Sequence, residues 1–301
     1  MVDISVIILT YNEELHIRRC LERLRPLEAE RIVIVDSEST DGTCRIAREM
    51  GAEVVVHPWP GNQAAQFNWA LDNLDIQSRW VLRLDADEYL SPELSEEIRL
   101  KMPSLSDDVA GVVFKRRHIF MGRWMKKGIY PVKLLRLFRN GLGKCEERLM
   151  DEHIVISDGR QIEFDNDFCD HNLNNLSWFC QKHINYAVRE AAAMLAAEYN
   201  LSDGLCSEAE YELSGQASVK RNKKNRYSKL PLFFRSTAYF LYRYILKGAF
   251  LEGKEGFLFS FLQGWWYRTL VDAKILEIKR KSKGDPQAIK RILKEQYNIA
   301  L

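Results

Sequence analysis

Four short apolar runs, each followed by a cluster of polar and small residues and separated from the next by a helical pattern, restrict this chain more than any other feature. Ile4 to Thr10 is almost continuous aliphatic, and Glu13 to Leu24 follows with helical spacing, its apolar positions being Leu15, Cys20, Leu21 and Leu24. Arg31 to Asp36 repeats the strand signal, Asp41 to Met50 the helix, and Ala52 to Val56 supplies a third strand. A helical stretch from about Gly61 to Leu74 leads to the apolar run Trp80 to Leu84, a fourth strand ending at Asp85. Continuous aliphatic strands alternating with helices predict an α/β fold, a Rossmann-like, mostly parallel sheet with helices on both faces. Ligands of such sheets bind beyond the carboxyl ends of the strands. The polar clusters lie there: Thr10-Tyr11-Asn12-Glu13, Asp36 to Thr43, and Asp85 to Glu88.

Asp85 and Asp87 are two positions apart in an extended segment and can aim at one point. Their repulsion is relieved by a hard divalent cation, which takes oxygen ligands and bridges to a diphosphate. Alone, the stretch also reads as an acidic turn before a helix, with Ser91 as N-cap, Pro92 at N1, and Glu93 and Glu96 in the first turn. Three polar strand ends beside one acidic pair favour the ligand site. Asp36 could accept a hydrogen bond from a base N–H or a ribose hydroxyl, because Ser39, Thr40 or Asp41 serves better as cap of the next helix. Cys44 and His16 read as surface or packing residues.

The segments Ser5 to Glu13, Ile34 to Thr43 and Leu84 to Glu88 resemble, in sequence, order and spacing, the family 2 inverting glycosyltransferases of the glycosyltransferase-A fold. The resemblance covers roughly the first 160 residues. It implies that Thr10, Tyr11, Asn12, Glu13 and Asp36 cradle the nucleoside. By the same resemblance Asp85 contacts the uridine or ribose side, and Asp87 holds the metal that bridges the diphosphate. Gln66 and Asn68 fall where the family often places a residue near the nucleotide. The implied cofactors are Mn2+ or Mg2+ and a nucleotide sugar, UDP-glucose being the expected donor.

After Pro103 the pattern turns strand-like, at Gly111 to Arg117 and Val132 to Phe138, and then reaches Cys145 to His153. An inverting transfer needs one carboxylate to take the proton of the attacking hydroxyl, while cations stabilise the departing diphosphate. The resemblance puts that base at Asp151, with Glu152 in reserve. His153 matches a recurring position of a subgroup that includes bacterial lipopolysaccharide core glucosyltransferases, where it would reach the diphosphate or the metal; a loop-holding histidine is the other reading. Glu146 and Glu147 read as solvated.

The rest reads as helical, dividing the chain into a nucleotide-sugar-binding catalytic domain (1–170) and a helical acceptor and membrane-association region (171–301). Leu176 to Tyr199 and Ser207 to Val219 carry helical patterns, and residues 220–229 hold six basic side chains without an acid. Leu230 to Leu251 predicts an amphipathic helix whose Arg235, Arg243 and Lys247 share one sector, leaving a broad aromatic and aliphatic face. Gly256 to Tyr267 is uncharged but only 12 residues long, too short to span a bilayer, which takes about 20. Aromatics flanked by cations suit the headgroup region, and six basic residues could add roughly 6 kcal/mol on an anionic leaflet. A core helix beside a solvated basic loop is the alternative. Nucleic-acid binding is disfavoured, since no aromatic stacking platform is indicated.

Six cysteines without Cys-x-x-Cys pairing indicate neither a zinc cage nor a disulfide framework and suit a reducing compartment. The N-terminus has no signal-peptide pattern, so export by that route is not expected. The expected protein is therefore a metal-dependent inverting hexosyltransferase, peripheral on the cytoplasmic face of the membrane, acting on a lipid-linked saccharide such as lipopolysaccharide core. A polyprenyl phosphate acceptor is disfavoured because it is already ionised and has little need of a base. A non-catalytic scaffold that binds sugar nucleotides is opposed by the intact carboxylate set.

Overall fold

The computed structural model of the chain describes residues 1–146, 152–201 and 226–299. Its first half runs β1 (Val2–Thr10), α1 (Ile17–Leu24), β2 (Ala29–Asp36), α2 (Thr43–Glu49), β3 (Glu53–Val56), α3 (Gln63–Asn73) and β4 (Trp80–Asp85). Then come β5 (Glu88–Leu90), α4 (Pro92–Lys101), β6 (Val109–Phe120), β7 (Arg123–Trp124), β8 (Val132–Arg139), β9 (Gly143–Cys145), β10 (Ile154–Ile156) and β11 (Arg160–Asp170). The main sheet has the order β3-β2-β1-β4-β8-β6-β11-β5. Its first four strands are parallel. β8 is antiparallel to both β4 and β6, β11 is parallel to β6, and β5 closes the edge antiparallel to β11.

Successive β1 side chains feed two cores, which is why the run is apolar throughout. Ile4, Val6 and Ile8 pack with Ile17, Cys20 and Leu21 of α1 and with Leu94 and Ile98 of α4. Ile7 and Leu9 pack with Ala64, Phe67 and Ala70 of α3 on the other face. Each of these aliphatics, at 0–8 % exposure, contributes about 1.5–3 kcal/mol of burial. Ser91 caps α4 by accepting from Leu94 N at 3.1 Å, with Pro92 behind it. Leu15, expected on the buried stripe, is 56 % exposed, because α1 starts only at Ile17.

After β11 the regular elements described are helical: α5 (Leu176–Tyr199), α6 (Phe234–Leu241), α7 (Gly253–Phe259), α8 (Tyr267–Ser282) and α9 (Pro286–Tyr297). A π-helical turn, Tyr242–Leu246, continues α6, and another, Ser260–Trp266, joins α7 to α8. Ala191, Leu195, Val271, Ile275 and Ile289 form the core of α5, α8 and α9. The expected single helix from Leu230 to Leu251 is shorter and breaks at Gly248, whose φ is +71°. Of the three cations in its charged sector, Arg235 and Arg243 are each 2 % exposed, while Lys247 is exposed. The cause for Arg235 is Asp272 of α8, wholly buried, whose Oδ1 accepts from Arg235 Nε at 2.7 Å. No helix among the described residues is long and apolar enough to cross a membrane. The expected helix from Ser207 to Val219 and basic residues 220–225 lie outside the described residues.

Candidate functional site

Register brings the strand ends together. β1 pairs Thr10 with Asp36 of β2 and Leu9 with Asp85 of β4. The chain turns after Asp85 into β5, where Glu88 pairs with Asp170 at the end of β11, and Asp170 in turn pairs with His118 of β6. These tips open on a cleft of about 1190 Å³, whose wall also includes Arg116, residues 118–122 and 171–175, α5 from Leu176 to Arg189, and Gln263. Of the residues singled out in the sequence, Thr10, Tyr11, Glu13, Asp85 and Asp87 line it.

The others support the lining. Asp36 is wholly buried and accepts from Thr10 Oγ1 at 2.7 Å, Ser39 N at 2.7 Å and Ser39 Oγ at 2.6 Å. Its oxygens are thus occupied by the loops that bear the cleft surface. Asn12, in the left-handed region at φ +55°, accepts from Thr40 N at 2.9 Å and ties the same two loops. Gln66 is buried, bonded to His57 and Ser37. Asn68 exchanges two 2.8 Å hydrogen bonds with the backbone of Cys145 and so anchors β9. His16 donates from Nδ1 to Glu13 at 2.6 Å, while its Nε2 accepts from Leu173 N at 2.9 Å, fixing the tautomer. Glu152 and His153 precede β10 and do not line the cleft; the His153 carbonyl accepts from Glu146 N at 2.9 Å. Asp151 and Glu147 lie outside the described residues.

The electrostatics keep Asp85 and Asp170 charged. Burial would raise the Asp85 pKa, but Arg136 at 3.5 Å and Arg83 at 3.8 Å hold it below the usual range. Asp170 is likewise opposed by burial yet held far down by His118 and Arg116, each at 3.2 Å. Behind them Glu88, buried beside Arg136 and close to Asp85, is pushed up to about 8, burial being the largest cause. Asp87 Oδ2 accepts from Asn172 Nδ2 at 3.0 Å. Lys182 of α5 answers these acids: burial disfavours its charge, but Tyr186, Asp87 and Asp170 together raise its pKa.

Such a cleft can hold both a cation and an anion. Asp85 Oδ1 is buried without a hydrogen-bond partner, which fits a carboxylate awaiting a metal or a ligand donor. No group of three His, Cys, Asp or Glu side chains among the described residues could hold a metal by itself. A cation at Asp85 and Asp87 would therefore be completed by phosphate oxygens of a ligand, the usual arrangement for Mg2+.

Sequence reasoning missed Arg116, His118, Asp170 and Lys182. A signal for the first two was present, since Arg116-Arg117-His118 follows the apolar stretch Val112 to Phe114 as the acids follow β4. Asp170 ends a strand written in looser alternation, and Lys182 sits in a helix with no local mark of its neighbours.

Residues 5–161 match the model of glycosyl transferase family 2. An uncharacterized glycosyltransferase of Rickettsia typhi is 28 % identical over 94 % of this chain and 90 % of its own length. The lipopolysaccharide core biosynthesis glycosyltransferase LpsC of Rhizobium meliloti is 26 % identical over 91 % of this chain and 92 % of its own. A solved structure of glucosyl-3-phosphoglycerate synthase from Mycobacterium tuberculosis, with Mn2+ and UDP, is 22 % identical over 38 % of this chain and 43 % of that one, with a TM-score of 0.32.

Proposed function

The chain belongs to glycosyl transferase family 2, and we propose that it transfers a hexose, from UDP-glucose as the first donor to test, to a saccharide carried on a lipid, with inversion at the anomeric carbon. The observation that carries this reading is the meeting of Asp85, Asp87 and Asp170 with Lys182 and Arg116 in one cleft at the strand ends. Likeness to LpsC over most of both chains supports a lipopolysaccharide-type acceptor. Such an acceptor keeps its tail in a bilayer, so the enzyme would work at the cytoplasmic face of the membrane.

In this reading Thr10, Tyr11 and Glu13 receive the nucleoside, with Asp36 and Asn12 holding their loops. Asp85 and Asp87 would hold a divalent cation, which when bound neutralises the diphosphate. Lys182 offers a second positive charge to the departing phosphate, where a fixed cation acts most strongly away from water. Asp151 takes the proton of the acceptor hydroxyl. The freed oxygen attacks the anomeric carbon from the face opposite the diphosphate; the carbon–oxygen bond to phosphate breaks and UDP leaves.

The test separates binding from chemistry. Asp87→Ala should abolish Mn2+-dependent UDP binding by calorimetry, whereas Asp151→Asn should keep binding and lower turnover by roughly 10²-fold or more. Glu152→Gln showing that pattern instead moves the base by one residue. Unchanged metal-dependent affinity in Asp87→Ala would remove Asp87 from its role.

A further inference from the structure

Ten of the twenty large hydrophobic side chains exposed among the described residues fall between residues 230 and 257. Phe234, Leu241 and Ile245 are 62, 46 and 53 % exposed, and their spacing of seven and four keeps them on one stripe of α6 and its π-helical continuation. Leu246 and Leu251 extend the surface past the helix end, at 77 and 63 %. The face is rigidly built. Phe240, Tyr244, Phe257, Phe261 and Trp265 form a closed ring of aromatic contacts, with centroids 5.4–6.5 Å apart, that locks α6 to α7. The helix carries arginines that could have faced water, and they are turned inward instead, Arg235 onto Asp272 and Arg243 onto Gln263.

The charge around this face selects its occupant. Arg226, Lys229, Lys247 and Lys254, which flank or interrupt this stretch in the sequence, are exposed. Between residues 226 and 271 the only acids are Glu252 and Glu255, and Arg123 pairs with both, at 3.5 and 3.4 Å. A second copy of the chain would bring the same unpaired cations against each other. An anionic bilayer meets both the apolar stripe and its basic border.

We propose that the Phe234–Leu241–Ile245–Leu246–Leu251 face inserts into the headgroup region of an anionic bilayer, an inference that rests on the lipid-carried acceptor proposed above. The same helical unit reaches the cleft on its inner side, since Gln263 lines the cleft and bonds Arg243 Nη1 at 3.1 Å. Docking would therefore set the cleft beside the acceptor's headgroup.

The experiment is flotation of the full chain with phosphatidylcholine vesicles, with and without phosphatidylglycerol. Wild type should float with anionic vesicles, and Ile245→Glu/Leu246→Glu should bind at least about ten-fold more weakly. Leu100→Glu, at an exposed apolar site on α4, should float like wild type. Calorimetry with UDP and Mn2+ on the double variant should match wild type, so a failure of the surface is separable from a failure of the transferase reading. Equal flotation of wild type and double variant would overturn the proposal, as would no flotation of wild type. A wild-type dimer that the double variant dissociates, without vesicle binding, would assign the face to a second copy and also overturn it.

Discussion

Replacing Asp272 by Ala should loosen the C-terminal helices by an amount that can be set from the structure. Asp272 is wholly buried, and its two oxygens accept from Arg235 Nε and from the backbone N–H of Phe233, each at 2.7 Å. Arg235 is 2 % exposed, and its other hydrogen-bonded oxygen among the described residues is the Ser228 carbonyl, 2.9 Å from Nη1. Removing the carboxylate leaves a buried guanidinium without its counter-charge, at a cost of about 3–5 kcal/mol, and strands the Phe233 N–H, worth about 1–3 kcal/mol. These penalties overlap, because water that reaches one group relieves the other. A net loss on the order of 4 kcal/mol is expected, a large share of the roughly 5–15 kcal/mol that holds a domain together. Urea unfolding followed by tryptophan fluorescence reads it, Trp265 and Trp266 lying in the affected unit. Arg235→Leu/Asp272→Leu should recover the ion-pair part of the loss, since a buried ion pair exchanged for apolar side chains is often neutral or better, while the Phe233 N–H stays without its acceptor. A loss below about 1 kcal/mol, or a double variant as unstable as the single one, would refute the account of why this helix faces as it does.

Two further outcomes concern the cleft. Lys182→Met should lower the rate of nucleotide-sugar hydrolysis by about 10²–10³-fold, the effect of losing one preorganised charge; single-turnover kinetics with UDP-glucose would measure it, and a rate within about threefold of wild type would exclude Lys182 from leaving-group stabilisation. His183, held down by burial, ionises less readily in the fold than in the open chain, where its pKa is about 6.5. The unfolded chain therefore gains a proton that the folded one refuses, so His183 should not erode stability above about pH 6.5 and should do so increasingly below it. Urea midpoints taken from pH 7.5 to 5 on wild type and His183→Gln would show the variant's shallower slope.

The half of the molecule built from uninterrupted aliphatic runs was legible because parallel strands buried on both faces leave no other residue choice. The strand ends were legible for the same reason, polarity beginning where burial stops. That rule located Asp85 and Asp87 but could not say which polar residue faces the cleft and which holds a loop. Asp36 shows the difference: its position at a strand tip suits a ligand contact, yet Thr10 and Ser39 close over it. β11 escaped notice because its stretch Asp165-Asn166-Asp167 interrupts the apolar alternation. The bulge there, between Glu163 and Asp167, lets the strand resume pairing with β6 and carry Asp170 to the site.

The burial of Arg235 and Arg243 was illegible for a deeper reason. Periodicity reveals that a helix has a charged sector and an apolar sector, but the usual assignment of the charged one to water assumes that no buried partner exists. Here the partner is Asp272, 37 residues further along the chain, and no local pattern announces it. With that pair formed, Phe234, Leu241 and Ile245 face outward, and the cost of exposing them remains unless another phase covers them. Arg243 makes the same inward turn, over the Tyr239 and Phe259 rings, and its Nη1 donates to Gln263 at 3.1 Å. Its bond to a cleft-lining amide links the two surfaces: on the docking proposed above, a shift of α6 would move Gln263 and with it that part of the cleft wall.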